Sequence, residues 1–151
     1  MPVTRDKSKW IGGNLVFHSA AGEPGVIKQI RKRFTIAQVN AGAELLPALP
    51  GIGYRMIEAS AISVGGAAGA VTTVDVKGTQ AASAVVLVAF AQLSLTQSTE
   101  LRAGDTGSTI LADGASHAVC DVNTAITVIK AGADITVATH IDILFTFACE
   151  G

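Results

Sequence analysis

Residues 54–76, YRMIEASAISVGGAAGAVTTVDV, constrain the chain most. Even positions Tyr54, Met56, Ile62 and Val64 are apolar, with Glu58 and Ser60 interrupting them. Gly65-Gly66-Ala67-Ala68-Gly69 follows as a small-residue turn. Val74 and Val76 then share one side of a second segment, with Thr73, Asp75 and Lys77 on the other. Period-two patterning on both sides of a glycine turn predicts a β-hairpin.

The same two-residue period recurs along the chain. Residues 140–148 alternate most cleanly: Ile141, Ile143, Phe145 and Phe147 face one way, His140, Asp142 and Thr146 the other. Residues 26–39 read as a first long strand, although a helix over 26–33 fits too. Pro47 and Pro50 make residues 44–53 a connector or an edge segment. Residues 108–111 and 123–130 read as further short strands between turns rich in Gly and Asp. Many short strands without a βαβ rhythm predict an all-β, antiparallel β-sandwich, jelly-roll-like body over residues 25–151. Residues 1–24 are set apart as an extended N-terminal arm, with Gly12-Gly13 and the loop chemistry of AAGEPG inside it. A chain of 151 residues can bury about 70% of the surface it exposes unfolded, enough for one core.

Residues 83–96 are the most apolar stretch. Val85, Leu87, Ala89 and Ala91 are apolar at odd positions, and Val86, Val88 and Phe90 at even ones. A strand apolar on both faces meets a second layer or a neighbouring subunit, so Val86, Val88 and Phe90 are candidate interface residues. An Ala-rich helix over 81–95 is the competing reading.

Charge is sparse and uneven. Charged residues are 15% of the chain, against a usual share of about 25%. Residues 1–33 hold seven bases against two acids, and residues 34–151 hold four bases against ten acids. A basic leading segment on an acidic body fits docking on an acidic surface, with Arg5, Lys7, Lys9 and Trp10 as its contact residues. Nucleic acid is not expected as a partner, because Trp10, Phe17 and Phe34 are too sparse to make a stacking platform. No run of 18 apolar residues is present, so no membrane span is expected, and the polar start MPVTRDKSKW is not a secretory signal. Cys120 and Cys149 form no CxxC and read as small apolar fillers.

Catalytic patterns are weak. GGAAGAVTT lacks the lysine of a phosphate cradle, and Gly51-Ile52-Gly53 is followed by Met56 where a dinucleotide fingerprint needs glycine. His117 and Cys120, with Asp113 and Asp121 near them, have metal-like spacing but no second ligand cluster. His140 and Asp142 share a strand face without a nucleophile beside them. Glu58, on a largely apolar strand face, calls for a partner such as Arg55 or Arg102 from a neighbouring subunit. No catalytic residue, metal or cofactor is expected.

Three phrases carry a resemblance: FTIAQVNAGAELLPALPGIGYRMIEASAISVGGAAGAVTTVDVKGTQ, ILADGASHAVCDVNTAITV and ATHIDILFTF. Over about residues 33–148 the chain resembles a family of small structural proteins of tailed bacteriophages, similar to the head decoration (cement) proteins. The resemblance implies a β-rich body, a homotrimer, the major capsid protein as partner, and a place on the virion capsid surface after synthesis in the host cytoplasm. It implies capsid stabilisation and no enzymatic activity. Two other readings stand beside it. One is a different virion part, such as a tail, fibre or head-completion protein. The other is a carbohydrate-binding β-sandwich, for which Trp10 and Tyr54 are the sole Trp and Tyr.

Overall fold

In a computed structural model, which describes residues 8–11, 14–17, 26–69 and 71–151, the clean alternation of the last segment becomes a strand central to one sheet. The elements in chain order are β1 (Ser8–Ile11), β2 (Asn14–Phe17), β3 (Ile27–Thr35), α1 (Ile36–Ala41), β4 (Ala43–Leu46), β5 (Gly53–Val64) and β6 (Val71–Gln80). They continue with β7 (Ser83–Ala91), β8 (Glu100–Arg102), β9 (Ser108–Ile110), a 3-10 segment (Ala112–His117), β10 (Ile126–Gly132) and β11 (His140–Glu150). The body is an antiparallel β-sandwich. One sheet has the order β3-β11-β5-β8 and the other β4-β10-β6-β7-β9. Ile141, Ile143, Phe145 and Phe147 of β11 point into the gap between them, as the alternation predicts. There Phe145 stacks on Phe147 and Tyr54 meets Phe147 edge-on at 5.6 Å. The Tyr54 hydroxyl, buried in this core, donates to the Pro47 carbonyl at 2.6 Å.

The strands on either side of the glycine turn are not a hairpin. β5 belongs to the four-stranded sheet and β6 to the five-stranded one, so residues 65–69 carry the chain across the sandwich. Gly65 and Gly66 have φ of +80° and +156°, and side chains there would collide with Thr139 and Val137. The Ser63 hydroxyl donates to the Gly66 carbonyl at 2.5 Å, and the Ala68 amide to the Leu95 carbonyl at 3.1 Å. These bonds fasten the crossing loop to its neighbours. The hairpin is β6–β7, turning at Ala81-Ala82 with φ of 50° and 60°. That left-handed conformation normally selects Asn-Gly. Here the Asp121 carboxylate accepts from the amides of Ala81 and Ala82 at 3.1 and 2.7 Å, which compensates the unfavourable backbone.

Two β-bulges explain why the patterning misled. In β5 the register shifts so that Phe147 faces Met56 while Thr146 faces Glu58, leaving Ile57 as the extra residue. Tyr54 and Met56 point inward before the bulge, and Ala59, Ala61 and Ser63 after it. The interruption at Glu58 and Ser60 is therefore a change of face. In β7 the shift leaves Leu87 between Val86 and Val88. Leu87, Val88 and Phe90 are all fully buried as a result, while Val86 lies on the outer face, half-buried. The residue facing Val85 is Gly78, and a Cβ added there would sit 2.6 Å from the Cys120 sulfur and 3.2 Å from Leu87 and Ile126. The missing side chain makes room for the bulged leucine.

Residues 83–91 are strand, which settles the helix alternative. The first long strand stops at Thr35 rather than reaching Val39. Thr35 caps α1, its hydroxyl accepting from the Gln38 amide while the Gln38 side chain accepts from the Thr35 amide. That reciprocal T-x-x-Q box is worth more than the β-propensity of Ile36 and Val39. β4 is an edge strand, as the prolines after it require. The region read as an extended arm contains the β1–β2 hairpin, with Ser8 facing Phe17 and Ile11 facing Asn14, in a sheet of its own.

Candidate functional surface

The predicted interface residues divide on inspection of the strand. Val88 and Phe90 are 0% exposed inside the protomer and offer nothing to a neighbour, because the bulge at Leu87 turns both inward. Only Val86 reaches the outer face. Of the predicted arm contacts, Arg5 and Lys7 lie outside the described residues, and Lys9 and Trp10 fall on β1.

The candidate metal and catalytic groups are otherwise engaged. His117 Nδ1 is 3.1 Å from the Met56 carbonyl oxygen. Burial pushes the Cys120 and Cys149 thiols up, which keeps both protonated and unreactive at neutral pH. No group of three or more His, Cys, Asp and Glu that could hold a metal ion occurs among the described residues. Tyr54 is buried, so it presents no platform to a sugar.

The chemistry gathers instead on the outer face of the four-stranded sheet. Strand register lays this face out in rows. The first row is Ile27, Ala148, Arg55 and Val119. The second is Gln29, Thr146 and Glu58. Arg31, Leu144, Ser60 and Arg102 form the third, and Arg33, Asp142, Ile62 and Glu100 the fourth. Between the second and fourth rows lies a shallow concavity of about 320 Å³, lined by Gln29, Thr146, Leu144, Glu58, Ser60, Arg102 and Glu100.

Two ionic trios flank this concavity. On the β3 side, Arg31 and Arg33 both close on Asp142. Arg33 Nε and Nη2 donate to its two oxygens at 2.7 and 2.9 Å, and Arg31 donates to one of them. The Asp142 side chain is fully covered while the two arginine side chains are 60% and 51% exposed. Hydrogen bonding from Arg33 outweighs the effect of burial, and with Arg31 holds the carboxyl down at about 2. On the β8 side the composition is inverted. Arg102 stands 3.5 Å from Glu100 and 3.8 Å from Glu58, and the Ser60 hydroxyl donates to Glu100 at 2.9 Å. Glu58 thus finds Arg102, one of its two expected partners, within its own chain, while Arg55 pairs with Glu150.

His140 and Asp142 do share a face, but Asp142 is committed to the arginines and His140 Nδ1 contacts Thr139 Oγ1 at 3.1 Å. The sequence reading missed the partners of Asp142. Arg31 and Arg33 are two apart on a strand, which puts both on one face. An outward aspartate on a strand pairing with β3 was the signal that would have found them.

No protein-family model, curated protein or solved structure matches this chain.

Proposed function

We propose that the chain is a non-enzymatic structural protein of a tailed-phage virion, decorating and stabilising the outer capsid surface as a homo-oligomer, a trimer as the resemblance implies. Its partners are the major capsid protein and further copies of itself. The observation that carries this reading is the β1–β2 hairpin, a two-stranded sheet that among the described residues pairs with no strand of either layer of the sandwich. Two strands alone are marginal in water and gain order by packing on something else. The hairpin carries Lys9 and follows Arg5 and Lys7, a basic segment suited to an acidic shell. Repetition of weak contacts through an oligomer multiplies their effect, so each hairpin needs only modest affinity. The sandwich contributes a rigid spacer, and its polar outer face holds its charges in internal pairs rather than aimed at a substrate.

The test is removal of residues 1–24. Residues 25–151 should fold with unchanged β-sheet circular dichroism. Their uptake onto shells assembled from a tailed-phage major capsid protein that takes up the full chain should fall at least tenfold. Undiminished occupancy by the truncated chain would remove the hairpin from the reading, and no uptake by the full chain would end it.

A further inference from the structure

The β1–β2 hairpin has two unlike faces. Its register sets Ser8 opposite Phe17, Lys9 opposite Val16, Trp10 opposite Leu15 and Ile11 opposite Asn14. Alternate positions of a strand share a face, and directly paired positions share it too. Positions 8, 10, 15 and 17 therefore fall on one side of the ribbon, and 9, 11, 14 and 16 on the other. The first side takes Trp10, Leu15 and Phe17, three large apolar residues in four positions. The second takes Lys9 and Asn14 beside Ile11 and Val16. Two strands alone have no second layer to cover such a face. The body has an uncovered apolar area to match. Ile27, Ile57 and Val119 are 64%, 40% and 44% exposed, three of the seven exposed large apolar residues among those described. They gather on one part of the four-stranded sheet. Ile27 and Val119 end the row that runs through Ala148 and Arg55, and Ile57 is the extra residue of the β5 bulge, two positions past Arg55.

We infer that the hairpin folds back on its own chain and lays its Trp10–Leu15–Phe17 face over the row from Ile27 to Val119. The connection selects this surface. Only residues 18–26 separate β2 from β3, and Ile27, where β3 begins, is itself the end of the row. Nine residues span at most about 30 Å. The row crosses three strand spacings, about 14 Å, so the tether keeps the hairpin within reach of all of it. Each hairpin strand has four residues and is about 13 Å long. Laid across the strands of the sheet, it covers the row from end to end, in the orthogonal kind of sheet packing. Arg55, in the middle of the row, is 42% exposed and held by Glu150, and a guanidinium so placed is a surface that an aromatic ring covers well. A short tether raises the local concentration of the hairpin, which favours docking on its own body over docking on a separate chain. Docked in this way the hairpin is a third layer on the sandwich, and the Lys9 side faces outward, toward the shell. The docking itself does not depend on a shell.

Trp10 is the sole tryptophan of the chain, so its fluorescence reports the hairpin alone. The test uses the free full-length protein without any shell, so loss of docking and loss of capsid binding are separate results. Wild-type emission should lie to the blue of the same chain unfolded in urea, and acrylamide should quench it less. Both signals should be unchanged on dilution, as docking within one chain requires. Ile27→Glu combined with Val119→Glu should shift the emission back to its value in urea while the β-sheet circular dichroism of the body is retained, because both positions are exposed. Leu93→Glu, at an 84% exposed position just past the end of β7, should leave the emission where it is. If the pair does not fold, Val119→Glu alone, outside the named strands, poses the same question with a smaller shift in the same direction. A wild-type emission equal to that in urea, a blue shift that fades on dilution, an unshifted variant whose body is folded, or an equal response to Leu93→Glu would overturn the inference.

Discussion

The two outer faces of the sandwich are built from the same kind of strand and differ sharply in what they carry. On the five-stranded sheet, Val86, Ala89, Ile129 and Ala131 sit half-buried among Thr73, Thr127 and the oppositely charged Asp75 and Lys77. Asp75 is nearly covered and accepts from the Thr73 hydroxyl at 2.5 Å. On the four-stranded sheet, six charged side chains form two opposite trios, with exposed apolar residues at both ends of the row below. One face is small and nearly neutral. The other gathers its charges into two clusters, each held by ion pairs within the chain. Apolarity on two sides of β7 therefore marked a deeply buried bulge.

The largest expected effect separates core from face on β7 itself. Val88→Asp should unfold the protomer, because an unpaired charge in the core costs more than about 4 kcal/mol against a total stability of about 5–15 kcal/mol. Val86→Asp, two residues away on the outer face, should cost less than about 1 kcal/mol. Urea unfolding of the two variants checks the contrast, and equal losses would mean the bulge register is wrong.

Next comes the pair of outward aspartates. Asp142→Asn removes the negative charge and one of the two oxygens that accept from two arginines, and should cost about 2–3 kcal/mol. Asp75→Asn, which weakens one hydroxyl bond on the other face, should cost about 1 kcal/mol. Reversal of that order would show that the trio contributes little to the fold.

The pH dependence comes from the same carboxylate. Asp142 is lowered from an ordinary 3.8 to about 2, so its stabilisation is complete above the unfolded value and is lost as pH falls through about 2. Wild-type stability should drop by about 2 kcal/mol more than that of Asp142→Asn between pH ~5 and pH ~2, read from denaturation midpoints. Parallel curves for the two proteins would count against the arginine clamp.

The last contrast concerns packing beneath the five-stranded face. Gly78→Ala places a Cβ 2.6 Å from the Cys120 sulfur, and should lower stability by about 1–3 kcal/mol without altering the mass. A neutral result would mean Leu87 does not fill the space over Gly78.

The fold was legible where the chain keeps strict period two. β11 has no interruption between His140 and Phe147 that changes its face, and its inward residues are the ones the alternation selects. It was illegible where an extra residue enters one strand. Ile57 and Leu87 each shift the phase of every later residue in their strands, and a residue count cannot show which position is skipped. The β6–β7 turn was hidden for a different reason. Ala81-Ala82 carries no glycine signal, and its support comes from Asp121, forty residues away in sequence. The helix α1, by contrast, had a readable cap at Thr35 and Gln38 that the surrounding β-branched residues obscured. The surface trios were half legible. Spacing put His140 with Asp142, and the two-residue step from Arg31 to Arg33 went unread; joining them required knowing that β3 and β11 are neighbours.

The central claim is that this chain acts through contact with copies of itself and with a shell. Light scattering of the intact, unmodified protein at low ionic strength tests it most directly. The account predicts a single species at a whole-number multiple of the 15.3 kDa chain mass, three being the number the resemblance implies. A monodisperse 15.3 kDa protomer at every concentration would contradict it.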